Sequence, residues 1–235
     1  MAARVGTGVT GQGDGDSTTI ASAAKNTTSG NLLTAWIKWE SGSGSEVLST
    51  VTDTASNSWT IVVTVTHPSV NALRAGLAYA SNITGNAANV VTATFTGGAF
   101  SAWRRIIVEE WSGLATSSVE DQNEQTATGA GSPFDTAAIT TTQSGLVVLG
   151  VAAFGSLSSV TGAGSPTFSI AATVSDTTFG YLISASGQSV TPSITASGGG
   201  GADIEIAQAF KNAAIATIPQ RSNLFLQAVN RASTY

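Results

Sequence analysis

The stretch Thr27-Thr-Ser-Gly-Asn-Leu-Leu-Thr-Ala-Trp-Ile-Lys-Trp39 decides the fold. Its small-residue turn, Ser29-Gly30-Asn31, leads into a run that alternates. Leu32, Thr34, Trp36 and Lys38 fall on one face of a strand, and Leu33, Ala35, Ile37 and Trp39 on the other. Both faces carry large apolar side chains, so the run predicts a central strand covered on two sides. Thr141-Thr-Gln-Ser-Gly-Leu-Val-Val-Leu-Gly-Val-Ala-Ala-Phe154 opens in the same way.

The echo continues beyond these two stretches. Leu32 corresponds to Leu146, and Val51-Thr52 and Trp59 to Val160-Thr161 and Phe168, while Gly76 and Tyr79 sit near Gly180 and Tyr181. Val90 to Phe95 answers Val190 to Ile194, and Ile107 and Trp111 answer Ile206 and Phe210. Strands are expected over Glu46–Thr52, Trp59–Thr66, Leu73–Ala80, Asn89–Thr96 and Trp103–Trp111, with Gly11–Asp16 a turn cluster. The expected class is all-β: two tandem antiparallel β-sandwich repeats of jelly-roll or Ig-like type, residues 1–115 and 116–212. One larger sandwich built from both halves is the alternative. Residues 213–235 form a C-terminal arm. Its apolar positions Ile215, Ile218, Leu224, Phe225, Leu226 and Val229, with Tyr235, suit packing on its own sandwich or on a neighbouring subunit.

Composition narrows the function classes. Charged residues are 10% of the 235-residue chain, against roughly 25% in an average globular domain. The net charge of −5 offers no basic footprint for a phosphate backbone or an anionic bilayer, which argues against nucleic-acid and membrane partners. The absence of cysteine excludes disulfides and thiolate metal sites. The N-terminus lacks the apolar core of a signal peptide, so synthesis in the cytoplasm is expected.

Candidate chemistry is sparse. His67, the one histidine, precedes Pro68 at a strand end, and no Gly-x-Ser-x-Gly elbow accompanies it. Glu109 and Glu110 are neighbours on a predicted strand and point to opposite faces, so they cannot flank one glycosidic bond. One is expected in solvent and the other beside Arg104 or Arg105. Asp14, Asp16 and Asp53 lie in turns, where oxygen ligands suit Ca²⁺ but where Asp is common without it. No metal or cofactor follows from these residues. Among Trp36, Trp39, Trp59, Trp103 and Trp111, most fit a core, and Trp39, beside a polar turn, is the candidate exposed glycan contact.

Five motifs carry a family resemblance. Gly30-Asn-Leu-Leu-Thr-Ala-Trp36, Val51-Thr-Asp-Thr-Ala-Ser-Asn-Ser-Trp-Thr60, Tyr79-Ala-Ser-Asn-Ile-Thr84, Val90-Val-Thr-Ala-Thr-Phe95 and Ile107-Val-Glu-Glu-Trp-Ser-Gly-Leu114 resemble a β-sandwich family found in tailed-bacteriophage structural proteins and modular bacterial surface proteins. Ser56 stands where that family usually has Gly. The resemblance implies a non-enzymatic virion structural protein, a capsid decoration (cement) or minor capsid protein. It would dock on the major capsid protein or on neighbouring copies as a homo-oligomer. The alternative is a tail-fibre or surface adhesin module that binds host glycans.

Overall fold

A computed structural model of the chain describes residues 1–42, 44–70, 72–97 and 103–214. The arm residues Ile215, Ile218, Leu224, Phe225, Leu226, Val229 and Tyr235 lie outside the described residues. All regular structure among the described residues is β, and among them no helix is long and apolar enough to cross a membrane. The first half runs β1 (Ala3–Arg4), β2 (Val9–Gly13), β3 (Thr19–Ala21), β4 (Lys25–Thr27), β5 (Leu32–Glu40), β6 (Val47–Asp53), β7 (Thr60–Thr66), β8 (Leu73–Ala80), β9 (Asn86–Asn89), β10 (Val91–Thr96) and β11 (Arg104–Ser112). The second runs β12 (Gln125–Gly129), β13 (Phe134–Asp135), β14 (Ile139–Thr140), β15 (Gly145–Ala153), β16 (Leu157–Ser165), β17 (Ser169–Val174), β18 (Thr177–Ser184), β19 (Ser189–Gly198) and β20 (Asp203–Lys211).

Each half has one large antiparallel sheet. The first has the order β1-β11-β5-β8-β7, with β2 beside β1 on the β11 edge; the second has β12-β20-β15-β18-β17. Registers recur between them. Leu32 faces Trp111 as Leu146 faces Phe210, and Tyr79 faces Thr34 as Tyr181 faces Val148. Thr60 and Ser169, which follow Trp59 and Phe168, pair with those same tyrosines. The two glycines are close but not equivalent: Gly76 lies opposite Ile37, whereas Gly180 lies opposite Leu149. By the register that aligns Leu32 with Leu146, the position matching Gly76 is Thr178.

Smaller sheets close the outer faces. β3-β10-β6 covers the first large sheet, and β13-β19-β14 with β16 covers the second. The two large sheets then pack on each other. Leu32, Trp36, Leu77, Ile107 and Trp111 of one meet Leu146, Val148, Phe179, Ile206 and Phe210 of the other in one apolar cluster. The layers therefore stack small–large–large–small, and the central strands of the middle layers have no wet face. This is why β5 and β15 are apolar on both faces: every residue from Leu32 to Trp39 and from Gly145 to Ala153 is buried. Burying one Leu, Ile or Phe side chain contributes about 1.5–3 kcal/mol, so this seam holds the halves strongly.

Alternation also corrects the expectation for Trp39. It shares parity with Leu33, Ala35 and Ile37, so the pleat carries it inward, where 1% of its surface remains accessible. Its ring lies 5.3 Å from that of Phe95, and its indole N–H donates to the Glu46 carbonyl at 3.3 Å. The polar turn nearby does not expose it. Part of the Gly11–Asp16 turn cluster is strand β2, paired with β11. Trp103 stands outside β11 with φ 77°, and Ser56 has φ 57°. Both are in the left-handed region that glycine favours.

Candidate functional site

The charged side chains of β5 and β11 define the seam electrostatics. Lys38 is fully buried, and its ammonium donates to Glu40 Oε1 at 2.6 Å and to Asp176 Oδ2 at 2.9 Å. Arg105, on the neighbouring strand, lies 2.6 Å from Asp14 Oδ1 and 3.4 Å from Asp176 Oδ1. Asp176 sits in the tight turn between β17 and β18, so a loop of the second half inserts its carboxylate between two cations of the first. A buried charge without such a partner would be prohibitive. Other polar links cross the same seam. Trp36 Nε1–H donates to Thr177 Oγ1 at 2.6 Å, and Arg4 Nη2 donates to the Ala171 carbonyl at 2.9 Å.

Glu109 and Glu110 do point to opposite faces, but neither is in solvent and neither pairs with Arg104 or Arg105. Arg4 grips Glu109 through two donors, Nε and Nη2, each at 2.7 Å. That hydrogen bonding raises the Arg4 pKa above its ordinary value, and burial opposes it. Glu110 Oε1 accepts the Thr28 N–H at 2.8 Å and Asn31 Nδ2–H at 2.7 Å. It therefore fixes the turn that opens β5. Arg104 is held instead by Glu46 Oε1, at 2.7 Å from Nη2, and lies over the Phe95 ring. The expectation failed because Arg4 on the neighbouring strand β1 and the 28–31 turn supply the partners of the two carboxylates, and adjacency in sequence does not reveal which segments will do so.

His67 acts as a turn cap. Nδ1 accepts the N–H groups of Ser69 and Val70 at 3.2 and 3.0 Å, which leaves Nε2–H to donate to the Gly129 carbonyl at 3.2 Å in the other half. Both ring nitrogens are used, so the ring has none to act as a base. Asp53 binds the N–H and side-chain amide of Asn57 in an Asx turn. Among the described residues no group of three or more His, Cys, Asp or Glu side chains could hold a metal ion.

Two features lie beyond those sequence expectations. Glu205 and Asp203 are both buried on β20, two residues apart and thus on one face. Burial and hydrogen bonding with Asp203 push the Glu205 carboxyl up to about 10, so it is a neutral acid at pH 7. No motif signals this; period-2 spacing of acids on a buried strand was the available clue. The second is a cleft of about 260 Å³ where the halves meet, lined by Glu40, Trp103, Phe154, Gly155, Ser156, Ser175 and Asp176. Trp103 is 47% exposed and Phe154 44%, the most exposed aromatics among the described residues. The guanidinium of Arg105 lies 5.6 Å from the Trp103 ring centre. The sequence favours Trp39 as the exposed tryptophan and a core for most of the others; it is Trp103, one residue before β11, that is exposed.

Neither family models, nor curated proteins, nor solved structures give a match to this chain. The phage resemblance therefore rests on the sequence motifs alone.

Proposed function

We propose that the chain is a non-enzymatic structural protein of a tailed-phage virion, a capsid decoration or minor capsid protein that acts by docking on other proteins. Residues 1–115 and 116–212 are tandem copies of one sandwich unit, and 213–235 are an arm that engages the major capsid protein or neighbouring copies in a homo-oligomeric assembly. One observation carries the non-catalytic part of this reading. The ionisable side chains that sequence reasoning offered for chemistry, Glu109, Glu110 and His67, are committed to internal hydrogen bonds and ion pairs. The recurring registers support the tandem copies, and the motif resemblance supports the virion setting. Repeated weak contacts between many copies on a particle gain strength through effective concentration.

The test compares full-length protein with a chain ending at Ala213. Light scattering reports the assembly state, and co-sedimentation with purified tailed-phage capsids reports docking. The reading expects only the full-length chain to coat particles or self-associate. If both forms stay monomeric and ignore capsids, it is wrong.

A second reading, a surface module that binds host glycans, is favoured by the two exposed aromatics that share one cleft.

A further inference from the structure

We propose that the cleft between Trp103 and Phe154 is a binding site for a neutral saccharide, taking one pyranose ring. The proposal deepens the glycan-binding reading and rests on it. Four observations converge on this cleft. The first is exposure: among the described residues Trp103 and Phe154 are large hydrophobic side chains left in solvent, while Trp36, Trp39 and Trp111 are fully buried. An aromatic face is the surface on which the C–H face of a sugar stacks, and the apolar cost of leaving two such rings wet is offset when a ligand covers them.

The second is backbone strain. Trp103 has φ 77°, a conformation that a bulky residue rarely adopts. Glycine would occupy it without strain, and the one ring contact given for Trp103, with the Arg105 guanidinium, leaves nearly half of the side chain in solvent. Strain of this kind concentrates where a side chain must be presented to a ligand.

The third is the polar lining. Glu40 supplies a carboxylate acceptor, Ser156 and Ser175 supply hydroxyls that donate or accept, and the buried Asp176 backs the wall. A few convergent polar groups beside aromatic walls suit a ligand with a ring of hydroxyls. The fourth is charge. Glu40 is paired with Lys38, and Asp176 with Lys38 and Arg105, so each carboxylate of the lining already has a cationic partner behind the wall. Asp14 pairs with Arg105 but does not line the cleft. A cage for an organic cation would need carboxylates without cationic partners, and Arg105 already sits against the Trp103 ring. A neutral polyol fits this wall. The volume is just below the roughly 300 Å³ at which sites for drug-sized ligands begin, so one ring enters and the rest of a glycan projects into solvent.

The test uses the full-length protein. A glycan array is followed by saturation-transfer NMR and tryptophan fluorescence with the methyl α- and β-pyranosides of glucose, galactose, mannose and N-acetylglucosamine. Tetramethylammonium chloride serves as the cationic control. At least one glycoside is expected to transfer saturation and perturb the exposed tryptophan. Trp103→Gly is expected to weaken binding about tenfold or more, a loss typical of removing a tryptophan anchor. Because Gly relieves the left-handed strain at position 103, this variant keeps or raises the melting temperature, which separates lost binding from lost folding. Phe154→Ser is expected to weaken binding as well. Glycan binding that persists undiminished in both variants overturns the site but leaves the glycan reading standing. No binding anywhere on the array overturns both. Binding of tetramethylammonium without any glycoside overturns the choice of a neutral ligand.

Discussion

The two halves solve the same packing problem with different residues. Both have a middle strand buried on both faces, β5 in one and β15 in the other. β5 carries Trp36 and Lys38, whereas β15 is Gly-Leu-Val-Val-Leu-Gly-Val-Ala-Ala with no charge. By the register that matches Leu32 to Leu146, Trp36 stands where the second half has Gly150, and Lys38 where it has Ala152. These differences are complementary. Trp36 lies directly on Gly150, where a Cβ would fall inside the space of its ring. Around this contact the aromatics meet reciprocally, Tyr79 with Phe210 at 5.4 Å and Trp111 with Tyr181 at 5.0 Å. Tyr79 and Tyr181 occupy matching positions, as do Trp111 and Phe210, so the halves meet like the subunits of an isologous dimer. Near the centre of such an arrangement two tryptophans would collide and two glycines would leave a void. One of each fits. The seam thus pairs unlike halves and disfavours like ones.

Breaking the central contact has the largest expected effect. Trp36→Ala should cost about 3–5 kcal/mol by leaving a cavity at the seam. Gly150→Ala alone should cost about 1–3 kcal/mol by overpacking, yet the double variant should cost clearly less than the sum, because the alanine enters space that the indole vacated. Urea denaturation of the four proteins checks this.

The buried charges come next. Asp176→Ala leaves Lys38 with Glu40 and Arg105 with Asp14, and strips both cations of their shared partner. It should cost about 3 kcal/mol, whereas Asp176→Ala combined with Lys38→Met should recover part of that loss. A smaller effect sharpens the contrast at the β11 and β20 edges. Glu109 matches Gln208, which has no cation to satisfy and donates to the Gln122 and Ala209 carbonyls. Glu109→Gln gives the first half the second half's residue but weakens the grip on Arg4, at about 1–2 kcal/mol.

A further effect depends on pH and belongs to the second half. Glu205 is protonated in the fold, with a pKa near 10 against an ordinary 4.5. The folded state binds the extra proton, so this contribution is complete below about pH 4.5 and is lost as pH rises toward 10. Glu205→Gln, which keeps a donor for Asp203, should flatten that decline. Denaturation midpoints at pH 5 and pH 9 read the difference.

Sequence periodicity revealed much of this architecture. The double-faced run from Leu32 to Trp39 announced a strand covered on both sides, and the echoed positions Leu32/Leu146, Trp111/Phe210 and Tyr79/Tyr181 keep matching registers. What covers each face was not legible, because alternation reports burial and not partner. Hence the sequence pointed to two tandem sandwiches with one merged sandwich as the alternative, while the large sheets pack face to face and keep their own strands. The same limit explains Trp39 and Glu109, whose burial follows from parity and from the remote Phe95 and Arg4. The cleft was illegible for a further reason. Trp103 and Phe154 are far apart in sequence and meet only once the halves have docked.

The central claim, that the two halves form one cooperative body through an unlike-paired seam, is tested most directly by scanning calorimetry. The account predicts a single transition whose calorimetric and van't Hoff enthalpies agree, shifted downward as a whole by Gly150→Ala. Two separable transitions, with Gly150→Ala moving only one of them, would contradict it.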